Sequence, residues 1–144
     1  MKVASILKRK GTDVVTVRPD VRIAAAAREL VGKGIGALVV SEDGRTMLGL
    51  LSERDIVNGL ALYGARIVDL RVGDVMARRV VTCTPEDSVT RLMAEMTQHR
   101  ARHLPVTEGG VVRGIVSIGD VVKHRLEDLE TEANILREAF IARH

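Results

Sequence analysis

Short apolar runs of strand length alternate with stripes of helical spacing along this chain, and the whole pattern occurs twice. VVTV at residues 14–17, ALVV at 37–40 and GLL at 49–51 are the runs of the first half; VVTC at 80–83, HLPV at 103–106 and GIV at 114–116 are their counterparts. Between the first two runs of each half, Ile23, Ala26, Ala27 and Leu30, and then Val89, Leu92, Met93 and Met96, mark the core-facing side of an amphipathic helix. The spacing predicts helices over about residues 20–33 and 85–99, entered through Pro19 and Pro85, where a missing N–H suits a turn into a helix. Polar loops at residues 41–45 and 107–110 carry Asp-Gly and Gly-Gly pairs, which predict hairpins. The second loop is one residue shorter, so the offset between copies falls from sixty-six at Thr16 and Thr82 to sixty-five at Gly49 and Gly114. Each unit therefore reads strand, helix, strand, hairpin, strand, helix, an α+β arrangement.

An amphipathic segment precedes each unit: VASIL at residues 3–7 matches VGDVM at 72–76. Lys8, Arg9, Lys10 and Gly11 read as a charged link to the first strand, and residues 66–71 as the linker between copies. The closing strands run into GLLSERD at residues 49–55 and GIVSIGD at 114–120. In both, Ser52 or Ser117 is an N-cap and Asp55 or Asp120 a first-turn carboxylate. Ser-x-x-Asp starts many helices, but capping does not require the preceding Gly and apolar residues to recur in register. The first closing helix is predicted over residues 55–62; the second runs from Asp120 to about residue 143, with Val122, Leu126, Leu129, Ala133, Leu136 and Phe140 at coiled-coil spacing. At 1.5 Å per residue it spans on the order of 35 Å, more than so small a unit covers, and its apolar stripe predicts a homodimer contact. The organisation is thus a first repeat over residues 1–70, a second over 71–126 and a helical extension over 127–144.

Composition narrows the function. Hydrophobic residues make up 46% of the 144 positions, yet Tyr63 and Phe140 are the only aromatics, so bases cannot be stacked in succession as single-stranded nucleic-acid binders do. A net charge of +3 permits anionic ligands without demanding nucleic acid. The single cysteine, Cys83, lies in an apolar run and reads as a buried strand residue, which with the lack of a signal peptide or membrane-length run predicts a cytoplasmic protein. His99, His103, His124 and His144 have no partners at metal-ligand spacing, and no nucleophile stands beside a base; no metal and no catalysis are expected.

The order Val-x-Thr, Pro, amphipathic helix, apolar strand, hairpin and Gly-apolar-apolar-Ser-x-x-Asp resembles the cystathionine beta-synthase (CBS) domain over about residues 3–126, in both copies. Such domains work in tandem as Bateman modules. The resemblance implies two pseudo-twofold-related repeats, each a small mixed three-stranded sheet packed on two helices, with a cleft for adenosine-containing ligands such as AMP, ATP or NAD. It implies that Asp55 and Asp120 hold the ribose, and that Val15, Thr16, Val81 and Thr82 line base and phosphate. Physical chemistry supplies a matching mechanism. Helix starts at Ser52 and Ser117 present N–H groups and partial positive charge to a phosphate, and an ionised Asp accepts from adjacent ribose hydroxyls.

The copies differ most where Arg100-Ala101-Arg102-His103 replaces Gly34-Ile35-Gly36-Ala37. Arg102 and His103 are phosphate candidates on the level where the family places basic residues, and Arg54 is a further one. Gly36 and Ala37 leave room for a ligand or for those longer side chains reaching across. The two sites are expected to be inequivalent. With Arg102 and His103 upstream in the same repeat, a phosphate at Ser117 would press on the first turn of the dimer helix. The expected function is a nucleotide-sensing regulatory module acting on an unidentified protein; the alternative is a ligand-independent dimerisation scaffold.

Overall fold

The computed structural model describes residues 1–143. In the first repeat the order is α1 (Val3–Lys10), β1 (Thr16–Val17), α2 (Ile23–Lys33), β2 (Ala37–Val40), β3 (Gly49–Ser52) and α3 (Glu53–Tyr63), followed by a 3-10 turn at Gly64–Asp69. The second contains α4 (Val72–Val75), α5 (Val89–His99), β4 (His103–Glu108), β5 (Val111–Ser117) and α6 (Ile118–Arg143). β1 lies parallel to β2, which pairs antiparallel with β3, giving the mixed three-stranded sheet expected.

The second sheet departs from that expectation. β4 and β5 form an antiparallel pair, and the third place is held by Cys83 through a single parallel bridge to Val106. Proline explains it. In the first repeat Val39 N–H donates to Val15 C=O at 3.2 Å, but Pro105 stands in the Val39 position and has no N–H. Only the bonds from Cys83 N–H to Pro105 C=O (3.0 Å) and from Thr107 N–H to Cys83 C=O (2.8 Å) remain.

The helices after the prolines start later than the spacing suggests, at Ile23 and Val89, because Pro19 and Pro85 open a turn first. At the second, Asp87 accepts from Thr84 N–H (2.8 Å) and Ser88 caps Arg91 N–H (3.0 Å). Met93, expected in the core, is exposed on α5, whose buried side is Val89, Leu92 and Met96. Residues 66–71 are not a free linker, since Ile67 of the 3-10 turn is buried against α2, β2 and β3.

Each repeat's opening helix packs on the other repeat. Val3, Ile6 and Leu7 of α1 share a core with Leu92, Leu104, Val106 and Val116, while Val72 and Met76 join Ile23, Leu30, Leu38 and Leu51. The backbone does the same: Ala4 N–H donates to Pro85 C=O at 2.9 Å, and Gly73 N–H to Pro19 C=O at 2.9 Å. This exchange accounts for the glycine that opens each Gly-apolar-apolar-Ser run. A Cβ on Gly49 would sit 2.5 Å from Ala77 O, and one on Gly114 2.6 Å from Leu7 Cδ2. A third cluster, with Ala37, Val39 and Leu50 buried against Val80, Val112 and Ile115, joins the two sheets.

Lys8, Arg9 and Lys10 are the last turn of α1 and not a link. Arg9 reaches α6, 3.1 Å from Glu127 and 3.4 Å from Asp128, on the side where Val121 and His124 are buried. The seam residues Val122, Leu126, Leu129, Leu136 and Phe140 lie on another face and are exposed.

Candidate functional site

Both Ser-x-x-Asp runs fold into the same cap. Asp55 N–H donates to Ser52 Oγ at 3.3 Å and Ser52 N–H to Asp55 Oδ2 at 2.8 Å; Asp120 N–H donates to Ser117 Oγ at 3.1 Å and Ser117 N–H to Asp120 Oδ2 at 2.8 Å. A reciprocal cap of this kind stabilises a helix start by about 1 kcal/mol. One further N–H is tied to the neighbouring strand: Glu53 N–H to Gly36 C=O (3.0 Å), and Ile118 N–H to Arg102 C=O (2.9 Å). The helix starts are therefore rigid, and through the cap each Asp commits Oδ2.

Around the first cap lies an open cleft of about 730 Å³. Its floor and one wall are Gly36, Leu50, Ser52, Arg54, Asp55 and Asn58, and the opposite wall comes from the second repeat, with Arg79, Val81, His99, Arg100, Arg102 and His103. Four guanidinium groups face two carboxylates, Glu53 and Asp55, so the cleft carries a cationic excess. Arg54 also donates to Arg100 C=O at 3.3 Å, drawing the two walls together.

Arg102 and His103 are neighbours of Ser117 along the backbone, His103 pairing with Ser117 and Arg102 C=O accepting from Ile118 N–H, and they also line the cleft of Ser52 and Asp55. Packing of the two repeats sets the start of β4 against Gly36 and the start of α3. His103 lies across Gly36, where a Cβ would come within 2.8 Å of both Cε1 and Nε2. Burial lowers the His103 pKa, with Lys10 and Arg102 acting the same way and Glu53 and Asp120 opposing. Of the other candidates, Val81 and Gly36 line the cleft. Val15 packs on the first core, Thr16 pairs with Val39 in the sheet, Ala37 is buried between the sheets and Thr82 is exposed. Ser117 and Asp120 belong to the second helix start, which Lys10 approaches from α1.

Sequence reasoning passed over Arg79, His99, Asn58 and Lys10. Arg79 and Lys10 read as link residues; the signal was their place between an amphipathic segment and a strand start that borders a cap. Burial pushes the Cys83 thiol up to about 12, so it is an inert core group. His99 lies 3.2 Å from Glu95 and His124 3.5 Å from Asp128, each one helical turn apart, while His144 is outside the described residues. Among the described residues no cluster of His, Cys, Asp or Glu has the make-up of a metal site, and no helix is long and apolar enough to cross a membrane.

A family model described as the CBS domain matches residues 3–62 and again 72–127. A mitochondrial CBS domain-containing protein of Arabidopsis thaliana, CBSX3, is 33% identical over 129 residues, which take in 84% of this chain but 63% of that protein's length. The CBS domain-containing protein YhcV of Bacillus subtilis is 30% identical over 125 residues, covering 87% of this chain and 88% of its own. Among solved structures, the CBS-domain containing protein ATU1752 from Agrobacterium tumefaciens superposes with a TM-score of 0.83 at 46% identity, over 87% of this chain and 99% of that one. The CBS domain pair of MJ0100, solved with 5′-methylthioadenosine and S-adenosyl-L-methionine, gives a TM-score of 0.75 over 85% of this chain and 98% of its own. At 22% identity that last likeness is one of fold.

Proposed function

The chain belongs to the CBS-domain family and carries two copies of the domain, and from that premise we propose that it is a non-catalytic regulatory module that binds an adenine nucleotide, of the AMP, ATP or NAD type, in the cleft beside Ser52. The observation that carries this reading is the meeting of a capped helix start, the Asp55 carboxylate and four guanidinium groups in one cleft. Asp55 accepts the ribose hydroxyls on the oxygen that the cap leaves over, and the α3 N-terminus with Arg54 and Arg102 takes phosphate. Val81 and Ala77 offer apolar and backbone surface to the base. The adenosine-type ligands of MJ0100 support the ligand class.

Occupancy is relayed through a homodimer. The exposed seam on α6 supports this, because Val122, Leu126 and Leu129 are each at least 45% exposed although they recur at coiled-coil spacing. The same seam favours a second reading, a scaffold that dimerises without a ligand. Thermal unfolding with AMP, ATP and NAD separates them. A sensor gains about 2.7 kcal/mol at a ligand concentration one hundred times Kd; a scaffold melts at the same temperature with and without nucleotide.

A further inference from the structure

The second helix start has the same cap as the first, yet a side chain from α1 reaches it. Lys10 Nζ donates to Asp120 Oδ2 and, at 2.7 Å, to Ile115 C=O. These two acceptors are the pseudo-twofold counterparts of Asp55 and Leu50, which both line the open cleft. We infer that Lys10 is a built-in occupant of the second site: its ammonium shares the cap oxygen Oδ2 of Asp120, and its side chain takes the space beside that carboxylate where a ribose would lie. The proposal rests on the reading of Asp55 and Asp120 as ribose-binding positions and extends it to stoichiometry.

The opening helices explain why one site is filled and the other free. α1 has 8 residues and carries Lys10 in its last turn, whereas α4 has 4 and gives way to Ala77, which pairs with Leu50 through backbone bonds of 3.0 and 2.9 Å. Arg79 follows α4 at the corresponding place and lines the first cleft, but among the described residues it makes no hydrogen bond or ion pair to Asp55, as Lys10 does to Asp120. Two ionic partners at 29% and 23% side-chain exposure make a contact that water only partly screens. Burial would raise the Asp120 carboxyl, but hydrogen bonds from Lys10 and Ser117 hold it below the ordinary carboxylate value.

The surroundings of the second helix start are less cationic at three positions: where the first cleft has Arg54, Arg100 and Arg102, the equivalent residues are Gly119, Gly34 and Gly36, while Arg102 stands at the position of Gly36. Adenosine, which carries the ribose without a phosphate, is therefore the probe for an opened second site.

The test is calorimetry on the full chain, titrating AMP first and then adenosine into the AMP-saturated protein. Wild type is expected to take one AMP and no adenosine. Lys10→Met, which keeps the aliphatic stem, is expected to take one AMP and one adenosine, with Lys10→Gln as a second variant should Met disturb α1. Lys10→Arg should keep the site closed. Adenosine binding by wild type within threefold of Lys10→Met overturns the proposal, as does a folded Lys10→Met and Lys10→Gln pair that takes up none. Failure of wild type to bind AMP overturns the function proposed above; adenosine uptake gained on removing Lys10 would still uphold its role.

Discussion

Arg100 is the one non-glycine residue among those described with a positive φ, 52°, in the left-handed region that L side chains avoid. It ends α5 as Gly34 ends α2, with the same pair of terminal bonds: Ala101 N–H to Met96 C=O (3.0 Å) and Ile35 N–H to Leu30 C=O (3.1 Å). Glycine at this place removes strain of about 1 kcal/mol. We therefore expect Arg100→Gly to stabilise the protein by about that amount in denaturant melts while weakening nucleotide binding. A substitution that stabilises and leaves affinity unchanged would remove Arg100 from the site. His103 yields a pH prediction. Its folded pKa is below the unfolded value of about 6.5, so the unfolded chain takes the proton first. The stability it contributes is complete above about pH 6.5 and falls as pH drops from there toward the folded pKa. Melts of wild type and His103→Gln should diverge in slope below about pH 6.5, with wild type steeper; parallel slopes would contradict a lowered pKa for this half-buried imidazole.

At the scale of elements, α6 has two jobs on two faces. Val121 and His124 close the second core beside α5 and α1, while the seam through Val122, Leu126 and Leu129 is exposed along a helix about 39 Å long. Leu126→Glu with Leu129→Glu should leave the fold intact and convert a dimer to monomer in sedimentation; an unchanged sedimentation coefficient would place the contact elsewhere. The strands, hairpins, caps and this long helix were legible because each is written in local period and turn chemistry. The second sheet's missing strand was legible too, in Pro105, had its N–H been counted. Which core α1 and α4 would join was not, because their apolar faces suit either repeat and only chain closure decides between them. Lys10 was misread for that reason: its role exists only once α1 has crossed to the second repeat.

For the whole molecule, pseudo-symmetry of the backbone carries an asymmetry of chemistry. Two identical caps face a cationic cleft on one side and a lysine on the other. Sequence comparison of the halves revealed the inequivalence, through Arg100 to His103 against Gly34 to Ala37, and set Arg102 and His103 beside Ser117, with which His103 pairs. Whether those side chains reach across the repeats was left open by the sequence; in the structure they line the cleft of Asp55. The central claim is accordingly that a nucleotide is held at Asp55, and the most direct measurement is its Kd for AMP, ATP and NAD in wild type and Asp55→Ala. Ser52 Oγ can still cap the residue 55 N–H, so the variant should fold. Loss of charge-assisted hydrogen bonds of about 1.5–3 kcal/mol predicts at least a tenfold weaker Kd for the nucleotide that wild type binds. An Asp55→Ala protein that is folded and binds that nucleotide with undiminished affinity would contradict the account.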